Sequence, residues 1–227
     1  ETRTYASAGK WPRHELRTPL TVIKAGLSSI REDITKADNF LPHIEGECDR
    51  MTRLISDLLL LASSDANTWS LLKEPVEMDT LLIEIYDMIC TCYNKNNYQL
   101  TLDLPEEELH IIHGDRERIK QIFTILIDNA MSHTSSRGII ALRAYNQKNY
   151  VVVEVEDHGP GICNEDKKQI FERFYRGDGS RNDKKHFGLG LSIAKELIEL
   201  HEGSIFIKDT PGGGATFVLR LPWQRNQ

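Results

Sequence analysis

His14 and Glu15 open the heptapeptide His14-Glu15-Leu16-Arg17-Thr18-Pro19-Leu20, which sets an imidazole beside a carboxylate with a threonine four residues on. A neutral imidazole is a nucleophile, and a carboxylate next to it can orient the second ring nitrogen and stabilise positive charge that develops on attack. Far downstream come Asn129 in Ile125-Leu126-Ile127-Asp128-Asn129-Ala130, the turn Asp157-His158-Gly159-Pro160-Gly161, and Gly188-Leu189-Gly190-Leu191. An asparagine oxygen can ligate Mg²⁺, which takes few protein ligands and keeps phosphate and water for the rest. A carboxylate at the end of a strand can accept a hydrogen bond from an exocyclic amine such as that of adenine, while glycines permit close backbone approach. Glycines at a helix start leave backbone N–H groups for phosphate oxygens. Each signal is weak alone: the Asp157 turn is an ordinary strand ending, a lone asparagine is usually solvated, and a G-x-G fragment is common. Taken in order, they put a nucleophile and a phosphoryl-donor site in one chain.

The elements that must position these residues follow from periodicity. Leu16, Leu20, Ile23, Leu27, Ile30 and Ile34 recur at helical spacing, as do Leu41, Ile44, Cys48, Met51, Ile55, Leu58 and Ala62. Between the two stripes lies a short polar connection, Thr35 to Phe40, ahead of Pro42, which a first helical turn tolerates. A hairpin of two helices cannot enclose its own stripes, so the pattern predicts a homodimer through residues 12–62, closed as a four-helix bundle. In this register His14 falls on the outer flank with Thr18 on the same side. Pro19 removes a donor to the Glu15 carbonyl and is expected to bend the helix there, while Pro12 is expected to start or kink it. Cys48, within the stripe, is expected to be a buried thiol.

The rest alternates strand and helix. Strand character over Leu72–Met78 precedes a helix over Asp79–Cys92 with Asp79 as N-cap. Strands follow over Tyr98–Leu104 and Leu109–His113, then a helix over Asp115–Ser132 with Ile119, Ile122, Phe123, Leu126, Ala130 and Met131 inward. Two strands, Gly138–Tyr145 and Tyr150–Glu156, a helix over 189–201, and a hairpin of Ser204–Lys208 with Ala215–Leu221 complete a mixed sheet with helices on one face. Cys163 to Phe187 is polar apart from Ile170 to Tyr175; a stretch this long within a compact domain reads as a lid over a ligand. The division expected is 1–66, a linker at 67–71, and 72–227.

Composition bounds the function. The chain has 227 residues and a net charge of −6, with both signs interspersed. That argues against a sequence-wide field for nucleic acid. The four cysteines, Cys48, Cys90, Cys92 and Cys163, lack metal-ligand spacing and suit a reducing compartment. No apolar run reaches the ~20 residues that span a bilayer, and no signal peptide is visible.

From His14 to Leu221 the chain resembles the cytoplasmic catalytic core of a sensor histidine kinase of a two-component system. The resemblance implies an all-α helical hairpin forming a dimeric four-helix bundle, followed by an α/β sandwich of the Bergerat ATPase type, in a multi-domain arrangement. It implies His14 as phosphoacceptor, Glu15 as its partner, and Thr18 as a residue that places water when the partner regulator is dephosphorylated. Asn129 matches the metal-binding asparagine of the N box, with His133 further along. Asp157, Gly159, Gly161 and Ile162 match the adenine side, and Phe171 and Phe174 the F box. Arg176 matches the arginine that reaches the terminal phosphate. Gly188, Leu189, Gly190 and Leu191 match the second glycine box, and Thr216 lies in the closing strand motif Gly212 to Phe217. The implied cofactors are ATP and Mg²⁺. The implied partners are a second copy and the receiver domain of a response regulator, with membrane attachment only through an N-terminal sensor region outside this sequence. The implied location is the cytoplasmic portion of a bacterial plasma-membrane sensor. The sequence departs from the family pattern at Trp11-Pro12-Arg13, at Ile125, where a second asparagine is common, at Ser132, where a cation is common, and at His186, where a glycine is usual. A nucleotide-binding dimeric module with weak or no kinase activity is the alternative, and an ATPase sharing only the nucleotide fold is a third, with no use for the His14 segment.

Overall fold

The heptad pattern of the first segment folds as a helical hairpin in a computed structural model that describes residues 13–65, 70–93, 98–135, 138–177 and 187–223. Side chains of residues 13–16, 64–65 and 92–93 lie outside that description. Helix α1 (Arg13–Glu32) runs through Pro19 without interruption, and the Thr21 hydroxyl donates to the Arg17 carbonyl at 2.9 Å. The connection is tighter than the sequence predicts. Asp33 caps a single 3-10 turn, Ile34–Lys36, by accepting from the Thr35 N–H at 3.0 Å, and α2 (Ala37–Asp65) starts at once. Pro42 is therefore the sixth residue of α2 and not part of its first turn.

The broad stripe expected of this hairpin divides into two seams. One is closed within the chain: Pro19 and Gly26 on α1 are buried with Ile23 and Ile30 half-buried, and on α2 Leu54 and Leu61 are buried with Phe40, Ile44, Met51 and Leu58 half-buried. Gly26 marks the close approach, since a Cβ there would lie 3.0 Å from Ile44 and 3.7 Å from Phe40. The other seam is open. Leu20 and Leu27 on α1, Ile34 in the 3-10 turn, and Leu41 and Ile55 on α2 are exposed by 45–74%, at multiples of seven residues. Cys48 and Ala62 share that register and are exposed too, so the buried thiol expected at Cys48 is instead on the outer seam.

Ser63–Gln227 form a second compact unit. Its five-stranded sheet has the order β2-β4-β5-β7-β6. The strands are β2 (Gln99–Asp103), β4 (Ile139–Gln147), β5 (Tyr150–Asp157), β6 (Ser204–Asp209) and β7 (Ala215–Pro222). Only β2 with β4 is parallel. A small second sheet pairs β1 (Glu74–Val76) with β3 (Ile112–Gly114). Helices α3 (Met78–Tyr93), α4 (Arg116–His133) and α5 (Gly190–Leu200) pack on the main sheet over a core of Leu81, Leu82, Phe123, Leu126, Leu197 and Phe217. On the sheet's other face, charged pairs sit above the strands: Arg143 donates to Glu156 at 2.8 Å and Lys208 to Glu154 at 2.9 Å. Asp79, expected as a cap, lies inside the first turn of α3, where its carboxylate accepts from the Leu109 N–H at 2.8 Å. No helix among the described residues is long and apolar enough to cross a membrane.

Candidate functional site

Helix α4 is the ruler of the site. Asp115 caps it, accepting from the Arg118 N–H at 3.1 Å, and buries Ile119, Ile122, Phe123, Leu126, Ile127, Ala130 and Met131. That inner face turns Ile125, Asn129 and His133, spaced four apart, along a common side. Ile125 meets the start of α5, where a Cβ on Gly190 would lie 3.2 Å from its side chain. The His133 carbonyl meets the turn after β5, where a Cβ on Gly159 would lie 2.6 Å away. Asn129 sits between these ends, about 6 Å of helix rise from each. Its carboxamide has no hydrogen-bond partner among the described residues and is half-buried.

At one end stands Asp157, the last residue of β5 and 3% exposed. Its Oδ1 accepts from the Gly159 N–H at 2.9 Å and the Ala215 N–H at 3.2 Å, so one oxygen ties its own turn to the start of β7. Oδ2 has no partner among the described residues and is available to an amine donor. Gly214 makes this closure possible: its φ is +112°, and any Cβ there would overlap the Asp157 carbonyl. Gly161 packs against the Gly214 carbonyl, 3.1 Å from where a Cβ would stand, with half-buried Ile162 after it.

Thr216 is not brought to this side. It pairs with Glu156 across the β5–β7 ladder, and Ala215 is the residue that falls opposite Asp157. Side chains alternate faces along a strand, so a one-residue offset sends the Thr216 hydroxyl to the far face. There it meets the Thr210 hydroxyl at 2.9 Å. In this structure the residue that meets Asp157 is Ala215, through its backbone N–H.

At the other end, α5 begins after Gly188, whose φ is +71°. Leu189 is buried and offers no side-chain cap, leaving first-turn N–H groups of Gly190 and Leu191 for an anion. Phe174, also at positive φ (65°), donates its N–H to the Gly188 carbonyl at 2.9 Å and brings Arg176 alongside. Phe171 packs edge-on against Phe217, with ring centroids 6.4 Å apart. Ser132, where a cation was the expected residue type, returns its hydroxyl to the Asp128 carbonyl at 2.9 Å. Residues 178–186, including His186, and Pro12 lie outside the described residues. So do the side chains of His14 and Glu15, whose backbone is helical in α1; Thr18 is exposed on the same helix.

His201 was not singled out in the sequence, and it braces the two helices from behind. It is 3% exposed, its Nδ1 donates to the Leu197 carbonyl at 2.7 Å, and its Nε2 accepts from the Asp115 N–H at 2.9 Å. Burial holds its pKa below the usual histidine value, against the opposing pull of the Leu197 carbonyl and the Asp115 charge. The neutral ring thereby joins the end of α5 to the cap of α4. A histidine ending an amphipathic helix carries no sequence signal of such a brace.

A sheet covered by three helices, with a free asparagine midway between an aspartate turn and an uncapped helix start, defines a nucleotide-binding ATPase unit joined to a helical hairpin. Residues 114–225 match the family described as histidine kinase-, DNA gyrase B-, and HSP90-like ATPase, and residues 13–67 match the His kinase A phospho-acceptor domain. The signal transduction histidine-protein kinase BaeS of Escherichia coli is 32% identical over 215 residues, 94% of this chain and 46% of that protein. Full-length ShkA, solved in complex with AMPPNP, superposes with a TM-score of 0.73 at 25% identity, over 94% of this chain and 45% of that one. Histidine kinase ThkA, solved with the response regulator protein TrrA, superposes at 0.72 and 25% identity, over 93% and 59%. The chain belongs to the sensor histidine kinases. It spans about half the length of the curated relatives it matches.

Proposed function

We propose that this chain phosphorylates His14 from ATP and passes the phosphoryl group to an aspartate in the receiver domain of a response regulator. The observation that carries the proposal is the α4 face. Ile125, Asn129 and His133 run from the open N-terminus of α5 to the Asp157 turn, so a nucleotide laid along it would set its base at one end and its phosphates at the other. Asp157 Oδ2 would accept from the adenine amine, Gly159, Gly161 and Ile162 would line the base, and Gly188 to Leu191 would hold phosphate oxygens through backbone N–H groups. The free carboxamide of Asn129 fits a Mg²⁺ ligand, and no group of three or more acidic, histidine or cysteine side chains among the described residues competes for the ion. Such an ion would offset charge between the phosphates.

A neutral His14 ring nitrogen would attack the γ-phosphorus. The N–P bond forms as the bond from the γ-phosphorus to the bridging oxygen breaks, and ADP leaves with that oxygen. Glu15 would hold the other ring nitrogen and balance its developing charge, and Arg176 would face the phosphate that moves. Thr18, one turn after His14, would place water when the regulator is dephosphorylated. The domains we assign are 1–66 for dimerisation and phosphotransfer, 67–71 as linker, and 72–227 for catalysis. A homodimer would form through residues 12–62, and membrane attachment would come through a sensor region preceding these residues, in the bacterial cytoplasmic face of the protein. ThkA, solved with a response regulator, supports the partner class, and ShkA, solved with AMPPNP, supports the nucleotide. No comparison favours the module without kinase activity.

Incubation with Mg²⁺ and γ-labelled ATP is expected to put an acid-labile, base-stable phosphoryl group on the wild type and none on His14→Gln. Equal labelling of the two proteins would exclude His14 as acceptor.

A further inference from the structure

We propose that Tyr175, acting through Asp166, is a positioning residue that aims Arg176 at the terminal phosphate of the bound nucleotide. The proposal deepens the functional reading and rests on it for the identity of that nucleotide. Cys163 to Gly177 is not a loose excursion. Its 3-10 turn, Asp166–Lys168, is fixed by Lys167, whose Nζ donates to both Asp209 oxygens at 2.6 and 2.7 Å and to Asn164 at 3.1 Å. Phe171 is held against Phe217 of β7, and Arg173 lies 3.5 Å from Glu196 of α5. The chain then reverses at Phe174, and the next residue, Tyr175, donates its hydroxyl back to the Asp166 carboxylate.

Arg176 follows at once. It passes Gly188 so closely that a Cβ there would lie 3.1 Å from the Arg176 side chain and 2.6 Å from the Tyr175 carbonyl. Gly188 stands two residues before the first residue of α5, the end with free N–H groups. Thus the Tyr175 ring fixes the backbone from which Arg176 leaves, and the reference frame is Asp166, itself locked to β6 through its neighbour Lys167. Tyr175 need not touch the nucleotide. Its effect is on the phosphate that Arg176 reaches, not on the base held at Asp157.

The test is equilibrium binding of ATP and ADP to the full chain with Mg²⁺, by displacement of a fluorescent nucleotide. Tyr175→Phe and Asp166→Ala are each expected to weaken ATP binding about five- to tenfold, the loss of one hydrogen bond to a charged group, with ADP binding within about twofold of wild type. Asp166→Asn keeps an acceptor oxygen and should stay near wild type. In an Arg176→Ala background, Tyr175→Phe should add nothing further. Equal losses for ATP and ADP, no loss for ATP, or additive losses with Arg176→Ala would each overturn the proposal. Should Tyr175→Phe fold poorly, the Asp166 pair decides the question. Binding needs no phosphoryl transfer, so an unlabelled His14 with ATP-over-ADP discrimination intact would count against the autokinase and for the positioning role. A wild type binding neither nucleotide would remove both.

Discussion

Asp157 commits one carboxylate oxygen to the scaffold: Oδ1 accepts from the Gly159 and Ala215 amides, and Oδ2, without a partner among the described residues, is the oxygen the proposed function gives to the adenine amine. Asp157→Asn can keep the scaffold oxygen while presenting an NH₂ group to the adenine amine, donor against donor. ATP affinity should fall about tenfold or more, while preference for ATP over inosine triphosphate, which has a carbonyl at that position, collapses. A fluorescent displacement titration with both nucleotides reads this directly. Gly214 makes a different demand. Gly214→Ala puts a methyl group into the Asp157 carbonyl at a φ of +112°, and should cost about 2–4 kcal/mol in urea unfolding. Gly212, with φ +90° and nothing within 4 Å of a Cβ, bears only the backbone term, so Gly212→Ala should cost about 1 kcal/mol.

At the scale of the elements, His201 is where pH enters. Its folded-state pKa is below the unfolded value of about 6.5, so the unfolded chain binds more protons in that window. Its contribution to stability is fully present above pH 6.5 and declines as pH falls below it, until the folded-state pKa is passed. Urea midpoints measured from pH 7.5 to 5 should show this decline in the wild type. His201→Gln, which can still accept from the Asp115 N–H, should lack that component. An unchanged pH profile in the variant would assign the decline to other groups.

What the sequence made legible at this scale was periodicity. The helix over Asp115–Ser132 and the inward face of α4 were readable because a stripe is a local pattern; that Asp115 is the cap and not the first helical residue came from the structure. Alternation told which stretches are strands, but it did not say which of Ala215 and Thr216 faces Asp157. That depends on the β5–β7 register, a non-local pairing, and a slip of one residue reverses the face. Asp79 was misplaced as a cap for a related reason: its partner, the Leu109 N–H, is thirty residues away. In the hairpin, the stripe was legible and its division into closed and open seams was not, because which positions meet across the two helices, such as Gly26 with Ile44, is a non-local pairing.

For the molecule as a whole, the open seam carries the prediction. Leu20, Leu27, Leu41 and Ile55 cover a face of the hairpin that a second copy would enclose, whereas Leu54 and Leu61 are already buried in the single chain. Leu20→Asp with Ile55→Asp should yield monomers by light scattering, with nucleotide affinity of residues 72–227 unchanged because the second unit has its own core. A dimer that survives both changes would place the contact elsewhere.

The strand order has a consequence in time. β7, the last strand among the described residues, lies inside the sheet between β5 and β6; its first residue supplies the Ala215 amide, and Gly214 just before it makes the close approach to Asp157. During synthesis, β4 and β5 can pair as a hairpin as soon as they emerge, but the β5 edge stays bare and Asp157 stays half-anchored until residues 215–221 have left the ribosome. Helix α1 is therefore made long before the Asp157 turn is complete. On the proposed function a nascent chain of this kind could not yet phosphorylate itself, and one stopped before Ala215 would expose a sticky strand edge to chaperones and proteases.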